Sequence, residues 1–284
     1  MNEGLLLLLD ATNYVLVIVL VAMGLVIIFG LMRVINMAHG ELFLLGAYTL
    51  VMLQQAGVSY WVGLVAAPLL VGLIGLLMEE LVIRHIYHRF LDTILATWGL
   101  SIMMKQGVVL LFGPGAQSTA APFATQFDLF GTPYPAYRLF IMAVSLLVVA
   151  GTFYLFFRTR FGLAARAVIA SRHTAACLGL PTRAFDRATF AYGAALAGLA
   201  GAVMAPIMSV DPQMGLGFLI PAFLAILVGG AGPLGGPVLG AGLIGATDSL
   251  TASLWSPVLA QVVVFTMAVV AIRVFPGGLL GGRK

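Results

Sequence analysis

Three residues able to carry a full charge, Glu41, Lys105 and Asp248, stand inside long apolar stretches of the sequence. A charge near the centre of a bilayer costs about 2.5–3.5 kcal/mol on insertion scales, so each needs a partner, water or a task. Asn36, His39 and Glu41 form one polar group within VINMAHGELFLLGAY, residues 34–48. On a regular helix His39 and Glu41 point to different sides, unless Gly40 interrupts it. The group either lines and gates the inner mouth of a transport path or pairs internally at a helix start. Thr97 and Trp98, in LATWGLS, open the fourth apolar segment and are further candidates for that path. Trp98 offers a flat wall to a planar amide, and equally an interfacial anchor. Lys105 lies deeper in the same segment, where Asp248, Glu79, Glu80 or an aqueous path would satisfy it.

Several chemistries are excluded. Ser101 and Ser249 have no histidine at a matching depth, so no nucleophile–base pair assembles. His85 and His88 sit between Arg84 and Arg89 and fit a loop better than a metal site. The single cysteine, Cys177, gives no internal disulfide and no Cys-x-x-Cys metal cluster. No Gly-x-x-x-x-Gly-Lys-Ser/Thr phosphate loop is present. The expectation is a chain that is no enzyme and carries no metal or cofactor of its own.

The elements that must position these residues are membrane helices. Of 284 residues, 62% are hydrophobic and 8% charged, against about 25% charged in a soluble domain. About 20 residues span a bilayer. Nine apolar segments are read, near 14–32, 38–53, 60–83, 93–112, 138–157, 188–208, 218–230, 237–254 and 257–275. The prediction is an all-α polytopic bundle of about eight to ten spans in one membrane domain, 1–284. The net charge of +4 does not make it a nucleic-acid binder, because the basic residues lie between apolar spans. MNEGLLLLLDATN has no basic residue before its first apolar run, so no cleavage is expected.

Charge sets the orientation. With the N-terminus outside, Arg33, Arg84, Arg89, Arg158, Arg160, Arg166, Arg172, Arg183, Arg187, Arg273, Arg283 and Lys284 share one side. Lys and Arg accumulate in cytoplasmic loops, so the C-terminus is expected in the cytoplasm. Arg138 and Lys105 are the exceptions. The segments at 218–230 and 237–254 flank GAGPLGGP, residues 230–237, and form either two short spans or a re-entrant hairpin. Gly193, Ala197 and Gly201, and later Gly232, Gly236 and Gly240, repeat at four-residue spacing that lets helix backbones approach closely.

The loop at 158–187, RTRFGLAARAVIASRHTAACLGLPTRAFDR, holds six arginines and one acid, Asp186. Its middle reads as a short helix over 172–178, with Ser171 as N-cap, Gly179 in the left-handed C′ position and Pro181 as a stop. Two turns are not stable alone. The helix must dock, and Ala175, Ala176 and Gly179 would permit close approach to a partner surface. The arginines alone would also suit anionic lipid headgroups.

This loop, with TFAYGAALAGLAGAVMAP at 189–206, resembles the coupling loop and next helix of bacterial ABC-importer permeases for branched-chain amino acids. VINMAHGELFLLGAY and FLAILVGGAGPLGGPVLGAGLIG, 223–245, are similar to two further segments of that family. LATWGLS and TAACLGL, 174–180, resemble its urea and short-chain amide subgroup. Lys105 departs from the resemblance, which implies a neutral residue there.

The resemblance implies an alternating-access permease that pairs with a second, related permease chain. Two cytoplasmic ATPase subunits, carrying ATP and Mg, would bind beneath. A periplasmic binding protein would deliver substrate, with 113–137 a reasonable docking surface for it. The short helix would seat in an ATPase groove, with Arg166, Arg172 and His173 beside Ala175, Ala176 and Gly179. The cargo implied is urea or a short amide first, and a branched-chain amino acid next. The alternative is a self-contained channel or ion-coupled carrier for small amides.

Overall fold

The computed structural model describes residues 2–32, 34–87, 89–129, 132–230 and 234–280. Arg33, His88, Arg283, Lys284, residues 231–233 of the Gly-rich join (Gly232 among them) and the side chain of Glu3 lie outside the described residues.

Each of the nine apolar segments is a helix. In chain order these are α1 (Asn2–Met32), α2 (His39–Gln55), α3 (Tyr60–Leu81), α4 (Phe90–Phe112) and α5 (Ala136–Arg158). Then come α6 (Arg160–Ala170) and α7 (Arg172–Cys177), followed by α8 (Thr182–Met204), α9 (Met214–Gly229), α10 (Gly235–Leu254) and α11 (Pro257–Val274). Helix α1 runs well before residue 14, because LLLLLDATN continues the helical apolar run. Among the described residues, six helices are long and apolar enough to cross a membrane, and α9 is a shorter apolar helix. This is an all-α polytopic membrane protein. The strands are one addition, β1 (Gln126–Leu129) paired antiparallel with β2 (Thr132–Pro135).

Local chemistry sets many of the ends. Helix α2 stops before Gly57 and α4 at Gly113, both at positive φ, which glycine adopts cheaply. Ser256 accepts the Leu259 N–H, and Pro257 opens α11 in the first-turn position where its missing donor costs nothing.

The chain divides into two units. One comprises Gly24–Ala120 and Val149–Leu219. At its centre α8 packs against α2 and α3 through small residues. Gly193 meets the Gly24 backbone, Gly201 that of Phe43, and Gly46 that of Gly198. A side chain at Gly193, Gly201 or Gly46 would collide with a main chain, so the stripe serves packing within this chain.

The other unit comprises Met1–Met23, Ala121–Val148 and Ile220–Lys284. Here Gly240 approaches the Ala225 backbone and Gly229 that of Gly236, closing α9 on α10. Leu224, Val228, Ile244, Val264 and Ala268 form its apolar core.

Candidate functional site

Helix α2 begins without interruption at His39, and Gly40 is helical. That glycine serves close packing instead, since a Cβ there would lie 2.6 Å from the Gly215 carbonyl oxygen. With the helix regular, His39 and Glu41 diverge. The His39 ring lies against Gly24 of α1, while Glu41 turns toward α4. Asn36 precedes the helix, and its Oδ1 accepts the Ala38 N–H at 3.1 Å. Residues 34–36 are non-helical and buried or nearly so. Such backbone is tolerated at membrane depth only when protein covers it. Thr97 supplies part of that cover. Its hydroxyl accepts the Met37 N–H at 3.2 Å and donates to the Thr93 carbonyl at 2.9 Å.

Glu41 is 1% exposed. The Ser101 hydroxyl donates to its Oε1 at 3.0 Å, and Lys105 Nζ stands 3.8 Å from the same oxygen. Lys105 also donates to Gln213 Oε1 at 3.1 Å. The partner of Lys105 is therefore Glu41, not Asp248, Glu79 or Glu80. Asp248 instead bonds Tyr14. Glu79 and Glu80 are occupied by Tyr87, Arg84, Arg183 and Arg187.

Thr97 is fully buried, and Trp98 is 52% exposed. Trp98 precedes Ser101 by three residues and Lys105 by seven, so it sits on the Lys105 side of α4.

In the basic loop, α6 was not anticipated. Its buried face is made of Gly162, Ala165 and Val168, and the Thr159 hydroxyl accepts the Gly162 N–H. Helix α7 ends at Cys177, one residue earlier than expected, with Leu178 as C-cap. The Ser171 hydroxyl accepts the Thr174 N–H. At the other end Gly179 has φ +81°. Its N–H bonds the Ala176 carbonyl, and the Leu180 N–H that of Ala175. Both crossed bonds of a Schellman closure are present.

Ala175 is 2% exposed and packs into the chain's own core beside Leu180 and Phe185. It seats α7 on this chain and is not offered to a partner, which corrects its expected role. Ala176, Leu178, Gly179 and His173 are exposed. Arg172 turns back and forks onto buried Asp186. The carboxylate raises the Arg172 pKa further above its ordinary value. Its guanidinium also lies 5.8 Å from the Tyr87 ring centroid. Burial and the bond to Glu79 push the Tyr87 phenol up. Arg166 lies over Phe157 at 5.0 Å. A cleft of about 470 Å³ opens beside α7, lined by Met32, Tyr87, Ile169, Ser171, Arg172 and His173.

Residues 7–272 match the family described as branched-chain amino acid transport system, permease component. The chain belongs to this family. It is a multi-pass permease of the bacterial inner membrane type. It is 26% identical to the high-affinity branched-chain amino acid transport system permease protein LivH of Salmonella typhimurium, over 92% of this chain and 90% of that one. It is 27% identical to BraD of Pseudomonas aeruginosa, which carries the same description, over 92% and 91%. The autoinducer 2 import system permease protein LsrC of Escherichia coli is 28% identical over 93% and 77%. No solved structure matches the chain.

Two features of this permease escaped the sequence reading. The pairing of Glu41 with α4 joins residues 60 positions apart, as Ser101 shows, and no local spacing encodes it. The sequence offers Glu79 and Glu80 as partners for Lys105, and the structure gives them to Arg183 and Arg187 instead. Neighbouring carboxylates at the end of α3, facing two arginines four apart on α8, were the available signal.

Proposed function

We propose that this permease is one transmembrane subunit of an ATP-driven importer that moves a small polar nitrogen compound into the cytoplasm by alternating access. Its N-terminus lies outside and its C-terminus in the cytoplasm. A second, related permease chain completes the pathway. Two ATPase subunits supply ATP and Mg chemistry, and a periplasmic binding protein delivers cargo.

The observation that carries this reading is α7. It is too short to persist by itself, yet it is capped at both ends and anchored through Ala175 and the Arg172–Asp186 fork. Its outward face of His173, Ala176, Leu178 and Gly179 is left uncovered. A channel has no use for such a peg. An ATPase surface that closes on nucleotide would push it, and Asp186 would pass that displacement to α8.

For cargo, we rank a branched-chain amino acid ahead of urea or a short amide. The names of LivH and BraD favour that order. So does the Glu41–Lys105 pair, since a neutral amide does not call for an acid and a base side by side. Asn36, His39, Glu41, Thr97 and Trp98 line or brace the path in this reading.

Reconstitution of the complex in liposomes tests the proposal. Uptake should require ATP, and Ala176→Glu should abolish both uptake and stimulation of ATP hydrolysis. Flux through this chain alone, without nucleotide, would establish a channel or ion-coupled carrier instead.

A further inference from the structure

Glu41 is buried, Lys105 is partly exposed, and both are only partly satisfied. Glu41 Oε2 is buried and has no hydrogen-bond partner. Its Oε1 sits 3.8 Å from Lys105 Nζ, beyond hydrogen-bonding distance. Lys105 carries three donors, of which one reaches Gln213. A half-satisfied buried network is costly, and an orphaned buried oxygen calls for a ligand or water. Lys105 is 21% exposed, so the pair can be approached from its side.

One turn further along both helices the surroundings change. Leu45, Tyr48 and Met52 of α2 face Met104, Val108 and Phe112 of α4 across an apolar cleft of about 230 Å³. The Tyr48 hydroxyl is buried there and has no hydrogen-bond partner. The seam therefore offers a carboxylate and an ammonium side by side, with an open apolar cleft one helical turn away.

We propose that this seam binds a free α-amino acid with a short apolar side chain. Glu41 takes its ammonium, Lys105 takes its carboxylate, and the side chain enters the cleft at Leu45, Met104 and Val108. The ligand's two charges insert into the loose ion pair and complete the hydrogen bonds that Glu41 and Lys105 lack. Urea and acetamide carry neither charge and have nothing to place in the cleft. The assignment rests on the importer reading for its purpose, but its geometry is independent of it.

The test measures equilibrium binding of radiolabelled L-leucine to the purified permease–ATPase complex, free of the binding protein and without nucleotide, with leucinamide, 4-methylpentanoate and acetamide as competitors. Leucine should compete best and acetamide not at all. Lys105→Met should weaken leucine binding roughly tenfold to a hundredfold, the range a hydrogen bond to a charged group is worth. Leucinamide, which lacks the carboxylate, should be nearly unaffected by that change. Glu41→Gln should show the converse with 4-methylpentanoate. Val108→Trp leaves both charges in place, and should lose leucine while retaining glycine, so it carries the test if a charge variant fails to assemble. Equal competition by acetamide and leucine, leucine binding unchanged in both charge variants, or full leucine binding by Val108→Trp each overturns the site. ATP-driven uptake with such insensitive binding would sink the site and leave the importer. Lys105-dependent binding with no ATP-driven uptake would sink the importer and leave the site.

Discussion

The guanidinium of Arg172 in α7 forks onto both oxygens of Asp186 in α8, with Nη1 to Oδ1 at 3.0 Å. Asp186 is fully buried, while Arg172 is 42% exposed. The fork ties a six-residue helix to α8, which packs against α2 and α3. Removing one partner of a buried pair costs about 3–5 kcal/mol, and the exposure of Arg172 reduces this to about 2 kcal/mol. Asp186→Asn is therefore expected to leave the fold intact but loosen α7. ATP hydrolysis by the complex should continue while uptake per ATP falls severalfold. Parallel assays of hydrolysis and uptake check this, and unchanged stoichiometry would show that the fork transmits nothing.

The two caps of α7 make a separable prediction. Ser171→Ala removes the acceptor for the Thr174 N–H, at about 1 kcal/mol. Gly179→Ala forces a Cβ into φ +81°, at about 1–2 kcal/mol. Neither touches the transmembrane helices. The pair should lower ATPase stimulation together, with little shift in the melting temperature of the detergent-solubilised protein. A large drop in that temperature would show the caps to be global supports.

How much of this was legible follows from where each signal resides. The nine apolar segments all became helices because about 20 apolar residues in a row leave the backbone no other way to satisfy itself in lipid. The caps of α7 were readable because Ser171, Gly179 and Pro181 act within a few residues of one another. Helix α6 was missed because its inward face, Gly162, Ala165 and Val168, is small and is diluted by arginines. The hairpin was missed because TPYP carries two prolines, which argue against a strand interior. On a two-stranded edge they are tolerated. Glu41 with Lys105, and Tyr14 with Asp248, depend on tertiary placement, which no local pattern holds.

Thr97 and Trp98 are neighbours in sequence with opposite surroundings, so their variants should separate. Thr97→Val removes the acceptor for the Met37 N–H and leaves a buried donor unsatisfied, at about 1–3 kcal/mol. It should destabilise the non-helical segment before α2 and reduce uptake of every cargo alike. Trp98→Ala should change the rank order of cargoes, since Trp98 shares its side of α4 with Ser101 and Lys105, the residues that meet Glu41. A competition panel run on both variants decides this. An unchanged panel for Trp98→Ala would remove that residue from the path.

Tyr134 gives a pH-dependent expectation. Its hydroxyl donates to Asp10 Oδ1 at 3.0 Å, and Arg138 pairs with the same oxygen. Burial and the bond to Asp10 push the phenol from 10 up to about 12. The folded state thus holds this proton more tightly than the unfolded chain. The resulting stabilisation is complete below pH 10 and is lost as pH rises toward 12. The ultraviolet difference spectrum between the native protein and Tyr134→Phe should titrate near the upper value. A midpoint at the ordinary tyrosine value would mean that β2 does not hold the phenol against Asp10.

The packing of α8 leads to the strongest stability prediction. Gly201 and Gly46 bring α8 and α2 together backbone to backbone, and a Cβ at either would overlap main-chain atoms of Phe43 or Gly198. Overpacking against side chains typically costs about 1–3 kcal/mol because they can turn aside. A carbonyl in a helix cannot, so Gly201→Val should exceed that range. The displaced element would be α2, which carries Glu41. Loss of fold and loss of leucine binding should therefore appear together in Gly201→Val. In Gly242→Ala, where nothing lies within 4 Å of the added carbon, both should survive. Thermal unfolding and leucine binding measured on the same two preparations make the comparison. A stable Gly201→Val protein that still binds leucine would show that the α2–α8 contact does not set the position of Glu41.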